Sequence, residues 1–294
     1  TQTTFKKLKI TTLIKRQILK IIKKFGYEIK GAKKIVQHND FDSIIYFLLN
    51  KKDNKKHIYF DVGANLGQSI KRFKKINPSS TIHSFEPTPE LYKKLIENFG
   101  NDKNVKINNL AVAKSKSRLD FYSYKYHKIN SLIPVNKKTK FSKSRIIDSN
   151  SKNNEFESII KVDVTSIDNY CEENSIHEID FIKIDTQGSE IDVLNGMKKF
   201  IENQKVSIIE LELILGFAYE KKFSFYDYEQ IFNNKDYRLI ALEDSGNIIS
   251  NSNYQTNVLY VKKDIFNNIE KMHEENINIE GITSKTDKSH PFSY

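Results

Sequence analysis

A chain of 294 residues, 38% of them apolar and one of them cysteine, has room for a large α/β domain but cannot build a disulfide framework or a thiolate zinc site within itself. No run approaches the roughly 18 apolar residues of a membrane span and no apolar signal core is read near the N-terminus, so the cytoplasm is the expected location. The net charge of +11 suggests an anionic partner only until it is located, because residues 1–34 hold eleven Lys/Arg against one acid, Glu28, and leave the rest of the chain close to neutral.

In that basic segment Leu8, Ile14, Ile18, Ile21, Ile22 and Phe25 recur at helical spacing, Lys9, Lys15, Arg16, Lys20, Lys23 and Lys24 fill the other face, and Gly26 ends the pattern. The expectation is an amphipathic helix. It packs on the main domain or on a second copy in a homo-oligomer, or residues 5–25 lie on anionic lipid at the inner face of the membrane. A second helix is read at 41–49 (FDSIIYFLL), and the polar run KKDNKK marks the start of the main domain. The organisation expected is a helical extension over 1–50, a domain over 51–264 with an insertion at about 118–157, and a tail over 265–294.

From His57 onward, apolar runs of strand length alternate with amphipathic segments of helix length, as in a parallel sheet with crossover helices. Strands are read at 57–62, 81–85, 105–110, 179–184, 207–213, 237–242 and 257–262; helices at 67–76, 88–99, 166–174, 189–203 and about 224–234. The turn-rich segment between the last two strands leaves no room for a long helix, so they should form an antiparallel end to the sheet. Within the insertion RLDFYSY reads as a strand and KINSLIP as an extended piece; the polar remainder is expected to be a mobile flap near the site.

Ligands of an open α/β sheet bind beyond the carboxyl ends of its strands. DVGANLG stands there for the first strand, where Gly63 allows a positive φ and a close backbone approach, and Gly67 a tight start to the next helix. FEPTPE then sets Glu86 at the end of the second strand, where a carboxylate accepts hydrogen bonds from a ribose diol. That position serves NAD and S-adenosylmethionine alike. The loop decides between them: it lacks the second glycine of a dinucleotide site, and Asp61 would repel a pyrophosphate but attract the ammonium of S-adenosylmethionine, with Asn65 and Gln68 on its amino-acid end. The alternative for Asp61 is a helix N-cap.

Asp185 in IKIDTQGSE ends the next strand and is the first candidate for a base or acceptor-orienting group, with helix capping as its alternative. Glu210 and Glu212 share a strand face, where one could bind the acceptor or share a proton with Asp185; a salt bridge to Lys183 is the alternative. His83 reads as a core histidine, while His127 is a candidate for reaching the site from the flap. No essential metal is expected from carboxylates so placed. The cluster FYSYKY could stack on a sugar ring or be a plain strand.

DVGANLG, FEPTPE, NNLAVA, INSLIP, VDVTSIDNYCEEN, IDFIKIDTQGSEIDVLNGM and IIELEL resemble, in order and spacing, the FkbM family of S-adenosylmethionine-dependent methyltransferases over roughly residues 57–215. The resemblance implies a class I methyltransferase fold, Rossmann-like, with a seven-stranded, mostly parallel sheet whose last strand is antiparallel. It implies that Asp61, Gly63, Asn65 and Gly67 line the methionine moiety, Glu86 the ribose, and Asn109, Leu110 and Ala111 the adenine, with Ala64, Gln68, Pro87 and Asp185 also at the cofactor. Gln187 departs from the family, which often has glutamate there. The activity implied is O-methylation of a sugar or glycan precursor, as in bacterial surface polysaccharide. RNA methylation and a non-catalytic membrane-docking module are the competing expectations, though a near-neutral body disfavours nucleic acid.

Overall fold

The computed structural model describes residues 41–49, 56–139, 158–243 and 254–274, so the basic segment 1–34, the polar part of the insertion and the tail beyond 274 lie outside the described residues. All the described residues fall within one compact unit, Asn39–Ile277. Its centre is a seven-stranded sheet in the order β3-β2-β1-β7-β8-β10-β9, made of β1 (Ile58–Val62), β2 (Thr81–Phe85), β3 (Val105–Asn108), β7 (Ile179–Ile184), β8 (Val206–Ile214), β9 (Tyr237–Leu242) and β10 (Gln255–Lys262). Every pairing is parallel except those of β10, which runs antiparallel to both β8 and β9. The strand order and the antiparallel last strand are those of a class I methyltransferase sheet.

Near-continuous apolar runs such as IDFIKI and VSIIELELI are what a strand covered on both faces requires. Successive residues serve opposite layers. Tyr59, Phe181 and Ile208 pack with α1 (Phe41–Leu49), α2 (Gln68–Ile76) and α3 (Pro89–Phe99) through Phe41, Ile45, Ile70, Phe73 and Leu95. Phe60, Ile182 and Ile209 pack on the other side with Tyr170, Leu194 and Phe232. These come from α4 (Ile167–Glu173), α5 (Glu190–Asn195) and α7 (Phe225–Phe232).

The structure corrects four expectations. The strand read at 105–110 leaves the sheet after Asn108, and Ala111–Val112 (β4) joins a second sheet with β5 (Ser117–Ser123) and β6 (Ser158–Thr165), in the order β4-β6-β5. Strand β6 was not foreseen; it closes the inserted segment against β5 over Phe121, Val162 and Val164. The helix read at 189–203 breaks into α5 and α6 (Lys198–Glu202) at Gly196, where an added Cβ would lie 2.0 Å from the Ala113 carbonyl oxygen. The domain is also wider than 51–264. α1 buries Phe41, Ile45 and Leu49, and after β10 the chain enters α8 (Lys263–Glu274), whose Ile265 and Phe266 rest on the same cluster. Among the described residues no helix is long and apolar enough to cross a membrane.

Candidate functional site

At the carboxyl ends of β1 and β2 the backbone closes on itself. Gly63 has φ +91°, its N–H and that of Ala64 both donate to the Phe85 carbonyl, and an added Cβ would sit 1.9 Å from the Asp185 carbonyl oxygen. The residue must be glycine because two strand ends meet there. Asn65, also at positive φ, donates its backbone N–H to Glu86 Oε2 at 2.8 Å and its side-chain amide to the His127 carbonyl at 3.3 Å. Its own Oδ1 is buried without a partner. Glu86 Oε1 accepts from the Thr88 N–H at 2.9 Å, and burial pushes this carboxyl up to about 7 although both amides favour its charge.

Beside this loop lie the ends of β7 and β8. Lys183 Nζ donates to Asp185 Oδ2 at 2.7 Å, while Gln187 Nε2 donates both to Asp185 Oδ1 at 2.9 Å and to Glu212 Oε2 at 2.6 Å. Gln255 holds the other Glu212 oxygen, and the Tyr219 hydroxyl donates to Gln187 Oε1. Burial opposes charge on Asp185, but Lys183 outweighs it and holds the carboxyl down to about 2. Burial and then the charges of Asp185 and Glu190 push Glu212 well above the carboxylate range. The two neighbours are thus driven apart, Asp185 toward its charged form and Glu212 toward its neutral one. The turn between them wraps Glu190, whose carboxylate accepts from the N–H groups of Thr186 and Gly188 and is raised to about 7 by burial.

Together these ends form the floor and wall of a cavity of about 440 Å³. Its roof is the inserted segment, in which a 3₁₀ turn at His127–Ile129 is pinned by Asn65 on one side and, through Ser131 Oγ on the Thr186 carbonyl, by the β7 exit on the other. Of the residues singled out by sequence, Gly63, Ala64, Asn65, Gln68, Glu86, Pro87, Leu110, Ala111, Asp185 and Glu212 line this cavity, as does His127. Four do not. Asp61 is fully buried below the loop, where Ser84 Oγ donates to it and burial raises it to about 6. Gly67 abuts Phe99 and Leu95 of α3, so its role is in helix packing. Asn109 ties its amide back to the Glu86 and Pro87 carbonyls. Glu210 is clamped through both oxygens by Arg72, at 2.7 Å each, rather than by Lys183.

Asp185 does not cap α5; its oxygens are taken by Lys183 and Gln187. His83 is a core residue, with Nδ1 on the Tyr170 hydroxyl at 2.9 Å and its ring stacked on Phe60. Sequence reasoning missed Arg72, for which a signal exists: the chain uses arginine at only five of its 48 basic positions, and one of them interrupts the lysines of α2. It also missed Ser69, Thr186, Asn130 and Gln255 in the cavity wall.

A family model described as the methyltransferase FkbM domain matches residues 61–239. The chain belongs to the FkbM methyltransferase family. The 2-O-methyltransferase NoeI of Sinorhizobium fredii (strain NBRC 101917 / NGR234) is 28% identical over 163 residues, which are 53% of this chain and 62% of that protein. Methyltransferase 1 of Beauveria bassiana (strain ARSEF 2860) is 27% identical over 143 residues, 47% of this chain and 57% of that protein. The chain thus spans less than two thirds of the length of either relative. Among solved structures, magnesium protoporphyrin IX methyltransferase from Synechocystis PCC 6803, with bound SAM, is 7% identical over 75% of this chain and 77% of that one, at a TM-score of 0.40.

The floor fits the cofactor that such a family uses. Asn65 Oδ1 is a buried acceptor lacking a donor, Glu86 offers further lone pairs beside it, and Gly63 lines the same cavity. A pH dependence follows from the buried acids. In the folded chain Asp61, Glu86 and Glu190 all titrate above their unfolded values, so each contributes stability that is complete only below its unfolded value of 3.8 or 4.5 and is lost as pH rises through about 6 to 7. Calorimetry of the ligand-free protein should give a lower Tm at pH 8 than at pH 6, and Glu86→Gln should narrow the gap. Equal values at both pHs in the wild type would contradict these assignments.

Proposed function

We propose that the chain is an S-adenosylmethionine-dependent O-methyltransferase whose acceptor is a hydroxyl of a sugar or glycan precursor. The observation that carries this is one cavity joining Asn65, Glu86, Leu110 and Ala111 on its floor to the anionic Asp185 on its wall. Glu86 and Asn65 bind the ribose and amino-acid parts, and Leu110 and Ala111 border the adenine. When bound, the cofactor supplies an electrophilic methyl on a sulfonium, whose departure as a neutral thioether drives transfer. Asp185 accepts a hydrogen bond from the acceptor hydroxyl, orients its oxygen and receives its proton. Lys183 and Gln187 fix the carboxylate in place, and neutral Glu212 keeps a second negative charge away from it. Transfer to an oxygen is supported by NoeI, which is named a 2-O-methyltransferase.

The test is a thermal-melt comparison of the protein with S-adenosylhomocysteine and with NAD, repeated on Asp61→Ala and Glu86→Ala. A ligand at about 100 times its Kd adds roughly 2.7 kcal/mol, an easily read shift. Glu86→Ala should abolish the shift by direct loss of contact, and Asp61→Ala should weaken it through the loop above it. Stabilisation by NAD, or by neither ligand, refutes the reading. Stabilisation by S-adenosylhomocysteine alone makes methyl transfer to glycan precursors the next assay.

A further inference from the structure

On the α2 side of the sheet, the ends of β1, β7 and β8 bring four acidic side chains, Asp61, Asp185, Glu210 and Glu212, around one ammonium, that of Lys183. Lys183 has a choice of partner. Glu210 lies directly opposite it in the β7–β8 register, and Asp185 is two residues along its own strand. In the structure it pairs with Asp185, because both oxygens of Glu210 are taken by the two terminal nitrogens of Arg72. The third nitrogen of Arg72 is held by Asp42, in the first turn of α1. Only a guanidinium can span a carboxylate bidentately and still reach a second acid.

We propose that Arg72 and Asp42 are positioning residues for Asp185: by claiming Glu210 they leave Lys183 to Asp185, so that α1, outside the family-matched region 61–239, helps to complete the site. The inference rests on the reading of Asp185 given above, but its structural half does not need an acceptor. Glu210 is 4% exposed at its side chain, so if Arg72 is removed the carboxylate left in the interior draws in the nearest cation, which is Lys183. Asp185 then loses its ammonium and shares a proton with Glu212. Asp42 is 43% exposed and screened by water, so its loss should be felt less than that of Arg72.

The test uses the full chain and four variants: Arg72→Met, Arg72→Lys, Asp42→Asn and the double variant Arg72→Met/Glu210→Gln. In the absence of acceptor, the Lys183 ammonium resonance is read by ¹⁵N NMR with and without Asp185→Asn. The change that Asp185→Asn causes in the wild type should vanish in Arg72→Met and return in the double variant, where Glu210 no longer competes. In turnover assays Arg72→Met should lower kcat by about tenfold to a hundredfold with the KM for the methyl donor unchanged. Arg72→Lys and Asp42→Asn should fall between, and the double variant should recover most of the loss. A double variant as impaired as Arg72→Met, or a Lys183 resonance indifferent to Arg72, overturns the proposal. Expected NMR behaviour in a protein that methylates no glycan precursor would instead refute the proposed function and leave the brace standing.

Discussion

Asp185→Asn should lower kcat about 10²- to 10⁴-fold, the range in which general-base contributions fall, while the affinity for S-adenosylhomocysteine changes little. Asn keeps the size of the side chain and can still accept one hydrogen bond, but it cannot hold a proton taken from an alcohol. The carboxylate it replaces is held down to about 2 beside Lys183, so it is fully charged throughout the working pH range. The substitution also leaves the largely buried Lys183 ammonium with Asp61 and Glu210 as its remaining counter-charges, and because Asp185 is itself 30% exposed the loss should stay below the roughly 3–5 kcal/mol of a fully buried pair. Activity is therefore measured well below the variant's melting temperature. An unchanged kcat, or an effect confined to KM, would remove Asp185 from the chemistry.

Gly63→Ala should be the most damaging substitution in the loop. Its φ of +91° costs a side chain about 1–2 kcal/mol, and a methyl placed 1.9 Å from the Asp185 carbonyl oxygen must push β1 and β7 apart, at about 1–3 kcal/mol more. The urea midpoint should fall accordingly, and S-adenosylhomocysteine should no longer raise the Tm. A variant with the wild-type midpoint would mean that the two strand ends are not locked together as the structure has them.

The central strands were legible because burial on both faces writes itself as uninterrupted apolar runs, as in IDFIKI and IIELEL. Strand ends were legible too, which is why Glu86 and Asp185 were placed correctly at the mouth of the sheet. What spacing does not tell is where a side chain at a strand end finds its partners. Asp61 stands next to last in β1, and it sits under the loop beside Ser84 of the neighbouring strand, a contact set by the β1–β2 register. For Glu210 the sequence offers the acceptor, a proton shared with Asp185 or a salt bridge to Lys183; its actual partner, Arg72, is 138 residues away on a helix. Likewise the break at Gly196 depends on the Ala113 carbonyl arriving from a separate sheet. Strand β6 was missed because its alternating residues pair only with β4 and β5, so neither continuous burial nor a following long helix announced it.

The roof over the cavity is held by Ile129, Ile133 and Val135, which pack with Ile214, Ala218 and Tyr219, and by a set of bonds through its main chain. Asn65 reaches the carbonyl of His127, the Asn136 N–H donates to the Ala218 carbonyl, and the Pro134 carbonyl accepts from the Glu220 N–H. Bonds of this kind are indifferent to which side chain the residue carries. Lys128 and Leu132 face the cavity from that same stretch. Lineages of this architecture are thus free to exchange such residues and explore new acceptors without unpinning the roof, which makes the segment a natural place for specificity to diverge while the floor stays constant.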